Sequence, residues 1–221
     1  MLKIKEKIAY GLGDTASNIV FQSVMLFLSF FYTDVFSISP AVVGTLFLVV
    51  RIFDAITDPL MGAMTDRTNT KYGKFRPYLL WLALPFAAIS VLAFSTPDIS
   101  EQGKVIYAFA TYALLMIAYT AINIPYSALG GVLTADPKER VSVQSYRFVF
   151  GMLGGLIVTA CTLPLVDYFG QGDSAKGYQL TIAAMSALGI VMFLLCFAGT
   201  KERVFPPPNQ NSSFKKDLSS L

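Results

Sequence analysis

Six apolar runs, most of them about 20 residues or longer, are separated by short polar stretches and divide this chain almost from end to end. They fall at about residues 8–33, 40–64, 77–95, 104–133, 141–168 and 178–200. Such a run is suited to one structure: a helix crossing the hydrocarbon of a bilayer, with every backbone polar group satisfied inside its own segment. The runs are continuous rather than alternating, which argues against a transmembrane β-barrel. Charged residues make up only 14% of the 221, where a soluble domain carries about a quarter. The chain therefore lacks the polar surface to face water. The expected fold class is all-α and integral to the membrane, with six transmembrane helices. Pro40, Pro77 and Pro137 punctuate span boundaries, whereas Pro59, Pro85, Pro125 and Pro164 fall within or near the ends of spans.

Basic residues then orient the spans. Lys3, Lys5 and Lys7, the group Arg67, Lys71, Lys74 and Arg76, the pair Lys138 and Arg140, and Lys201, Arg203, Lys215 and Lys216 all lie on one side. The opposite loops hold only Lys104 and Lys176. By the positive-inside rule both termini are expected in the cytoplasm, with the chain in a plasma membrane of bacterial inner-membrane type. Residues 1–203 are expected to form the transmembrane domain. Residues 204–221, PPP followed by polar residues, read as a cytoplasmic linker or tail whose last residues could begin a short amphipathic helix. No cleavable signal peptide is expected, since the first apolar run is too long and lacks an A-x-A site.

Enzymatic chemistry finds little support. The chain has no histidine, and no nucleophile stands in an arrangement with a base. Cys161 and Cys196 lack metal-ligand spacing and are expected to be small buried hydrophobes. No cofactor is implied.

Span two breaks the apolar pattern. Within VGTLFLVVRIFDAITDPLMGAM, residues 43–64, Asp54 and Asp58 are four apart and project from one helical face, with Arg51 on the same stripe. Each charge at the centre of a bilayer costs roughly 2.5–3.5 kcal/mol on insertion scales, so this cluster requires a reason. Asp54, Thr57 and Asp58 supply hard oxygen ligands suited to sodium or a proton, and Arg51 could balance the carboxylates when the cation is absent. The plainer alternative is a structural ion-pair network bracing neighbouring helices. Asp58-Pro59 adds a locally irregular backbone, commoner beside a cavity than against lipid.

Other polar positions follow. The loop TDRTNTKYGKFRPY, residues 65–78, carries Asp66, Arg67, Lys71, Lys74 and Arg76. It is either a positive-inside anchor or a latch between helix ends, with bases meeting final carbonyls or pairing with Asp66 and acids of neighbouring loops. Nucleic-acid binding is not expected, because topology already explains these bases. Span four carries YTAINIPYSALGG, residues 119–131, in which Thr120 and Asn123 are polar and Tyr119 and Tyr126 offer faces that could stack on a sugar ring. Interhelical hydrogen bonding is the alternative. In span one Asn18 and Gln22 share a face, while Asp14 is expected to cap a helix or pair with a loop. Arg147 either snorkels to the cytoplasm or faces a cavity and pairs with a substrate hydroxyl or a carboxylate. Gly151 and Gly155 form a G-x-x-x-G close-packing signal.

Together these residues resemble the glycoside–pentoside–hexuronide:cation symporter family of the major facilitator superfamily. The resemblance rests on YGLGD at 10–14, FFYTDVF at 30–36, GTLFLVVRIFDAITDPLMG at 44–62, DRTNTKYGKFRP at 66–77, NIPYSALGG at 123–131, ERVSVQSYRF at 139–148 and TLP at 162–164. It implies a major-facilitator fold rocking around a midplane sugar site. Asp54 and Asp58 match the family's cation-site carboxylates, with Thr57 (often Asn in relatives) and Thr120 as further ligands, and Arg51 and Arg147 match arginines near the polar cavity. Asn18, Gln22, Asn123, Tyr119, Tyr126 and Arg147 are the candidate sugar contacts. In the melibiose-transporting members, the positions matching Asn18 and Asn123 are aspartates that bond the galactosyl unit, and an aromatic stands where this chain has Ser127. An α-galactoside is therefore less expected here than another glycoside, a pentoside or a hexuronide.

Family members have two six-span halves, and this chain resembles the N-terminal half alone. The expected function is cation-coupled symport of a sugar, with sodium or protons as the coupling ion. The expected partners are the sugar, the bilayer, and a C-terminal six-helix half or a second copy. Two alternatives stay open: a truncated, non-transporting half or membrane interaction module, and a carrier of a lipid or other non-sugar solute on the same fold.

Overall fold

The computed structural model describes residues 1–204, so the expected tail beyond Val204 lies outside the described residues. Six helical rods follow one another. The first, α1 (Ile4–Ser23), continues through two wide helical turns, Val24–Leu28 and Phe31–Val35. Then come α2 (Pro40–Arg67), α3 (Arg76–Ala93), α4 (Glu101–Val132), α5 (Pro137–Gly170) and α6 (Ser174–Gly199). No named strand occurs among the described residues. Every expected span overlaps one of these rods. Helices α2 to α6 are long and apolar enough to cross a membrane. Helix α1 carries Lys5, Glu6, Lys7 and Asp14, and its apolar length accrues only when the wide turns extend it to Val35.

Local chemistry sets the helix ends. Pro40 and Pro137 open α2 and α5, where a missing N–H costs nothing. Ser100, Asp136 and Asp173 each accept a backbone N–H from the first turn that follows them. Pro59, Pro85, Pro125 and Pro164 lie inside helices, as long spans held by neighbours tolerate.

Helix α1 packs against α5 and α6, α3 lies against α4 and α6, and α2 rests mainly on α4. Glycine permits the α1–α5 approach. A methyl group at Gly154 would lie 2.9 Å from the Thr15 carbonyl oxygen, and one at Gly151 would overlap the Asp14 carboxylate. Gly155 is looser, 3.6 Å from Gln22, so the close seam uses Gly151 and Gly154 rather than Gly151 and Gly155. The core is aromatic: Tyr10, Phe31, Tyr32, Phe86, Phe94, Tyr126 and Phe193 are fully buried. By contrast, Ile52, Phe53 and Ile56 of α2 and Phe148, Met152 and Leu156 of α5 stand exposed, as on a bundle whose outside meets apolar surroundings. Cys196 is buried as expected, but Cys161 is exposed, because its position on α5 faces away from α1 and α6.

Candidate functional site: a polar face across four helices

The polar residues of α1, α2, α4 and α5 converge in two groups. In the first, the Thr120 hydroxyl on α4 donates to Asp58 Oδ1 on α2 at 2.8 Å. Thr57 lies one residue before Asp58 and donates its hydroxyl to the Asp54 carbonyl at 3.3 Å. Its oxygen lone pairs remain able to accept a cation. Arg51 Nη1 stands 3.8 Å from Asp54 Oδ2, with the arginine side chain 64% exposed. That contact is long and its arginine largely exposed, so it balances charge without locking the carboxylate in place. One turn of α2 and the facing turn of α4 thus bring together only oxygen donors, the set preferred by small hard cations.

The second group lies between α1, α4 and α5. Arg147 does not snorkel. Its Nε donates to Asp14 Oδ1 at 2.9 Å, its Nη2 donates to the Ser127 hydroxyl at 3.1 Å, and its guanidinium sits 5.2 Å from the Tyr126 ring centroid. Asn18 donates to the Asp14 carbonyl at 3.0 Å and to Asp14 Oδ2 at 3.3 Å. Asn123 donates to the Tyr119 hydroxyl at 3.3 Å, and the Tyr119 ring stacks on Phe21 with centroids 5.2 Å apart. Gln22 lies over Gly155.

Two expectations change here. Asp14 is not a cap or a loop partner; it is buried and joins α1 to α5, because its four-residue spacing from Asn18 places both on the stripe facing Gly151 and Gly154. Tyr126 offers no open face to a sugar. It is fully buried, stacks on Tyr10 at 4.8 Å, and donates its hydroxyl to the Tyr10 carbonyl at 2.8 Å. Gly13 lies against the Tyr126 ring and leaves room for it.

At one end of the bundle the basic loop is built into the helix ends. Lys74 pairs with Asp66 at 3.4 Å, Lys71 lies 4.9 Å from the Tyr72 ring centroid, and Arg67 closes α2. Arg76 donates through Nε and Nη2 to the Phe197 carbonyl in the last turns of α6, at 3.2 and 2.6 Å. The carboxylate of Glu202 accepts the backbone N–H groups of Lys74, Phe75 and Arg76 at 2.8, 2.8 and 3.0 Å, filling the anion position at the start of α3. Nearby, Arg203 grips both oxygens of Glu6, and Lys7 pairs with Glu139 at 2.9 Å.

Comparison with known proteins identifies the fold's lineage. The family model described as MFS/sugar transport protein matches residues 9–219. The chain belongs to the MFS/sugar transport proteins. It is 51% identical over 221 residues to the inner membrane symporter YicJ of Escherichia coli K12, and 51% identical over 220 residues to the putative glycoside/cation symporter YagG of the same organism. It is 47% identical over 224 residues to the isoprimeverose transporter of Lactiplantibacillus pentosus. In each case the whole of this chain is covered but only 48%, 48% and 47% of the relative, so the chain spans about half their length. The resemblance to glycoside–pentoside–hexuronide:cation symporters holds, and this is an integral membrane protein of a transport family rather than an enzyme.

Within this MFS/sugar transport protein, residue-by-residue reading overlooked Glu202 as a helix anchor and misjudged Asp14. No local pattern marks Glu202, since it acts on a helix 126 to 128 residues earlier in the chain. Replacing Glu202 by Ala would leave three N–H groups at the start of α3 without their acceptor, at a cost of about 1–3 kcal/mol. A lowered thermal midpoint and faster proteolysis of the 65–78 loop are the expected results. An unchanged midpoint and an unchanged cleavage rate would show that the cap is dispensable.

Proposed function

We propose that this chain forms one half of a cation-coupled sugar symporter, supplying the cation site and one wall of the sugar site. The observation that carries this is the Thr120–Asp58 hydrogen bond with Asp54 and Thr57 on the adjoining turn of α2. Three carboxylates lie on a polar face that runs from buried Asp14 to half-buried Asp54 and exposed Asp58, and a bound sodium ion or proton would offset the excess negative charge. Asn18, Gln22, Tyr119, Asn123 and Arg147 provide donors and acceptors for sugar hydroxyls beside that site. A cation that stabilises the arrangement able to bind sugar must raise sugar affinity, and sugar must raise cation affinity by the same factor.

The names of the relatives, a glycoside/cation symporter and an isoprimeverose transporter, support a sugar as the solute. The distribution of basic residues supports cytoplasmic termini, and the likeness to YicJ supports a bacterial inner membrane. Rocking around a midplane site needs a second six-helix half, either the remainder of a longer chain or a separate copy.

The test is uptake of labelled glycosides into membrane vesicles containing the intact transporter that carries this sequence. A sodium or proton gradient should drive accumulation above the external concentration, and adding the sugar should tighten cation binding. Glycoside entry that ignores both gradients would overturn the reading.

A further inference from the structure

The charges on the polar face narrow the class of solute beyond "sugar". Each guanidinium on that face already stands beside a carboxylate: Arg51 near Asp54, and Arg147 near Asp14. The two pairs are unequal. Arg51 is 64% exposed and 3.8 Å from its acid, whereas Arg147 and Asp14 are 24% and 12% exposed and meet at 2.9 Å. Arg147 is the base that neighbours the candidate sugar contacts, through its bond to Ser127 and the shared acceptor Asp14, which also holds Asn18. The remaining carboxylate, Asp58, has a hydroxyl partner rather than a base. One monovalent cation would therefore bring the face close to neutrality.

We propose that Asp14 is a specificity-determining residue that neutralises Arg147 and so selects an uncharged glycoside over a hexuronide. This rests on the sugar-symport reading above. The physical reason is competition. An anionic solute that engaged the N–H groups of Arg147 left over by Asp14 and Ser127 would bring a second carboxylate to a guanidinium already neutralised by Asp14. One that displaced Asp14 would leave a buried carboxylate without its base. A neutral hydroxyl accepts from the same free N–H groups at neither cost. Asp14 also fixes Asn18, so one carboxylate orients two side chains at the site.

The experiment compares matched competitors of transport in vesicles holding the intact protein: methyl glucoside and methyl xyloside as neutral probes, and methyl glucuronide as the acidic one. Wild type should bind at least one neutral probe about tenfold or more tighter than the glucuronide, the scale set by one uncompensated charge in a partly buried site. Asp14→Asn preserves shape and frees the Arg147 charge, and should shift that ratio by about tenfold or more toward the glucuronide. Asp14→Glu keeps the charge and should keep the wild-type order. A wild type that takes the glucuronide as well as its neutral counterparts overturns the inference, as does an Asp14→Asn protein with an unchanged ratio. Because a wild type that takes the glucuronide as well overturns the inference by itself, the inference stays falsifiable even if the Asp14→Asn chain fails to reach the membrane. Absence of binding by every probe in wild type, with or without the cation, would instead remove the symport reading and this inference with it.

Discussion

Replacing Asp58 by cysteine in the intact transporter should abolish cation-driven accumulation of glycoside while leaving measurable binding of the sugar. Asp58 supplies a carboxylate oxygen to the proposed cation site and accepts the Thr120 hydroxyl at 2.8 Å, so the substitution removes a ligand and the bond joining α2 to α4 there. Loss of groups that merely orient metal ligands costs about 10–100-fold, and loss of a direct oxygen ligand should exceed that. Asp54→Cys should behave the same way, with Arg51 then left without its nearest acid. Thr120→Val, which keeps both carboxylates, should weaken cation affinity by less than either. Gradient-driven uptake and equilibrium sugar binding, measured on the same vesicles, separate the two effects. Normal accumulation in both aspartate variants would place the cation site elsewhere.

The second large effect is expected at the α1–α5 seam. Gly154→Leu would force a side chain against the Thr15 backbone and Asn18, where even a methyl group is already too close at 2.9 Å. Backbone cannot swing aside as a flexible side chain can, so the helices must separate. Overpacking of this kind costs about 1–3 kcal/mol and often more when backbone must move. Separation would also pull Asp14 and Asn18 away from Arg147, so sugar binding should fall along with thermal stability. Gly155→Ala is the control, because its added methyl would sit at an ordinary 3.6 Å from Gln22. Thermal unfolding in detergent distinguishes them: a strongly lowered midpoint for Gly154→Leu and a near wild-type one for Gly155→Ala. Equal midpoints would mean that the seam is not tightly packed.

Much of the site was legible in one dimension because helical spacing is local. Asp54 and Asp58 share a face by their separation of four, and so do Asn18 and Gln22. The same rule applied to Asp14 and Asn18 would have placed Asp14 on that stripe. Its place nearer the cytoplasmic end of span one instead favours a cap or a loop partner. Tyr126 was misjudged for a different reason. Asn123 and Ser127 beside it in the sequence are polar, but α1 places Tyr10 against its ring and closes it off from any cavity. Glu202 carried no signal at all, since the three N–H groups it accepts belong to a helix far back in the chain.

By itself the sequence determined the membrane class, the six helical rods, the polar stripe on α2 and the basic loop between α2 and α3. These depend on apolar run length and on periodicities of one helical turn, which neighbouring residues encode. Only the tertiary structure decided which distant polar groups meet. Asp14 with Arg147, Asp58 with Thr120, and Glu202 with the start of α3 all join residues more than 60 positions apart. Such partners are set by helix packing, which here depends on where glycine lets two backbones approach. Composition contains no record of that choice.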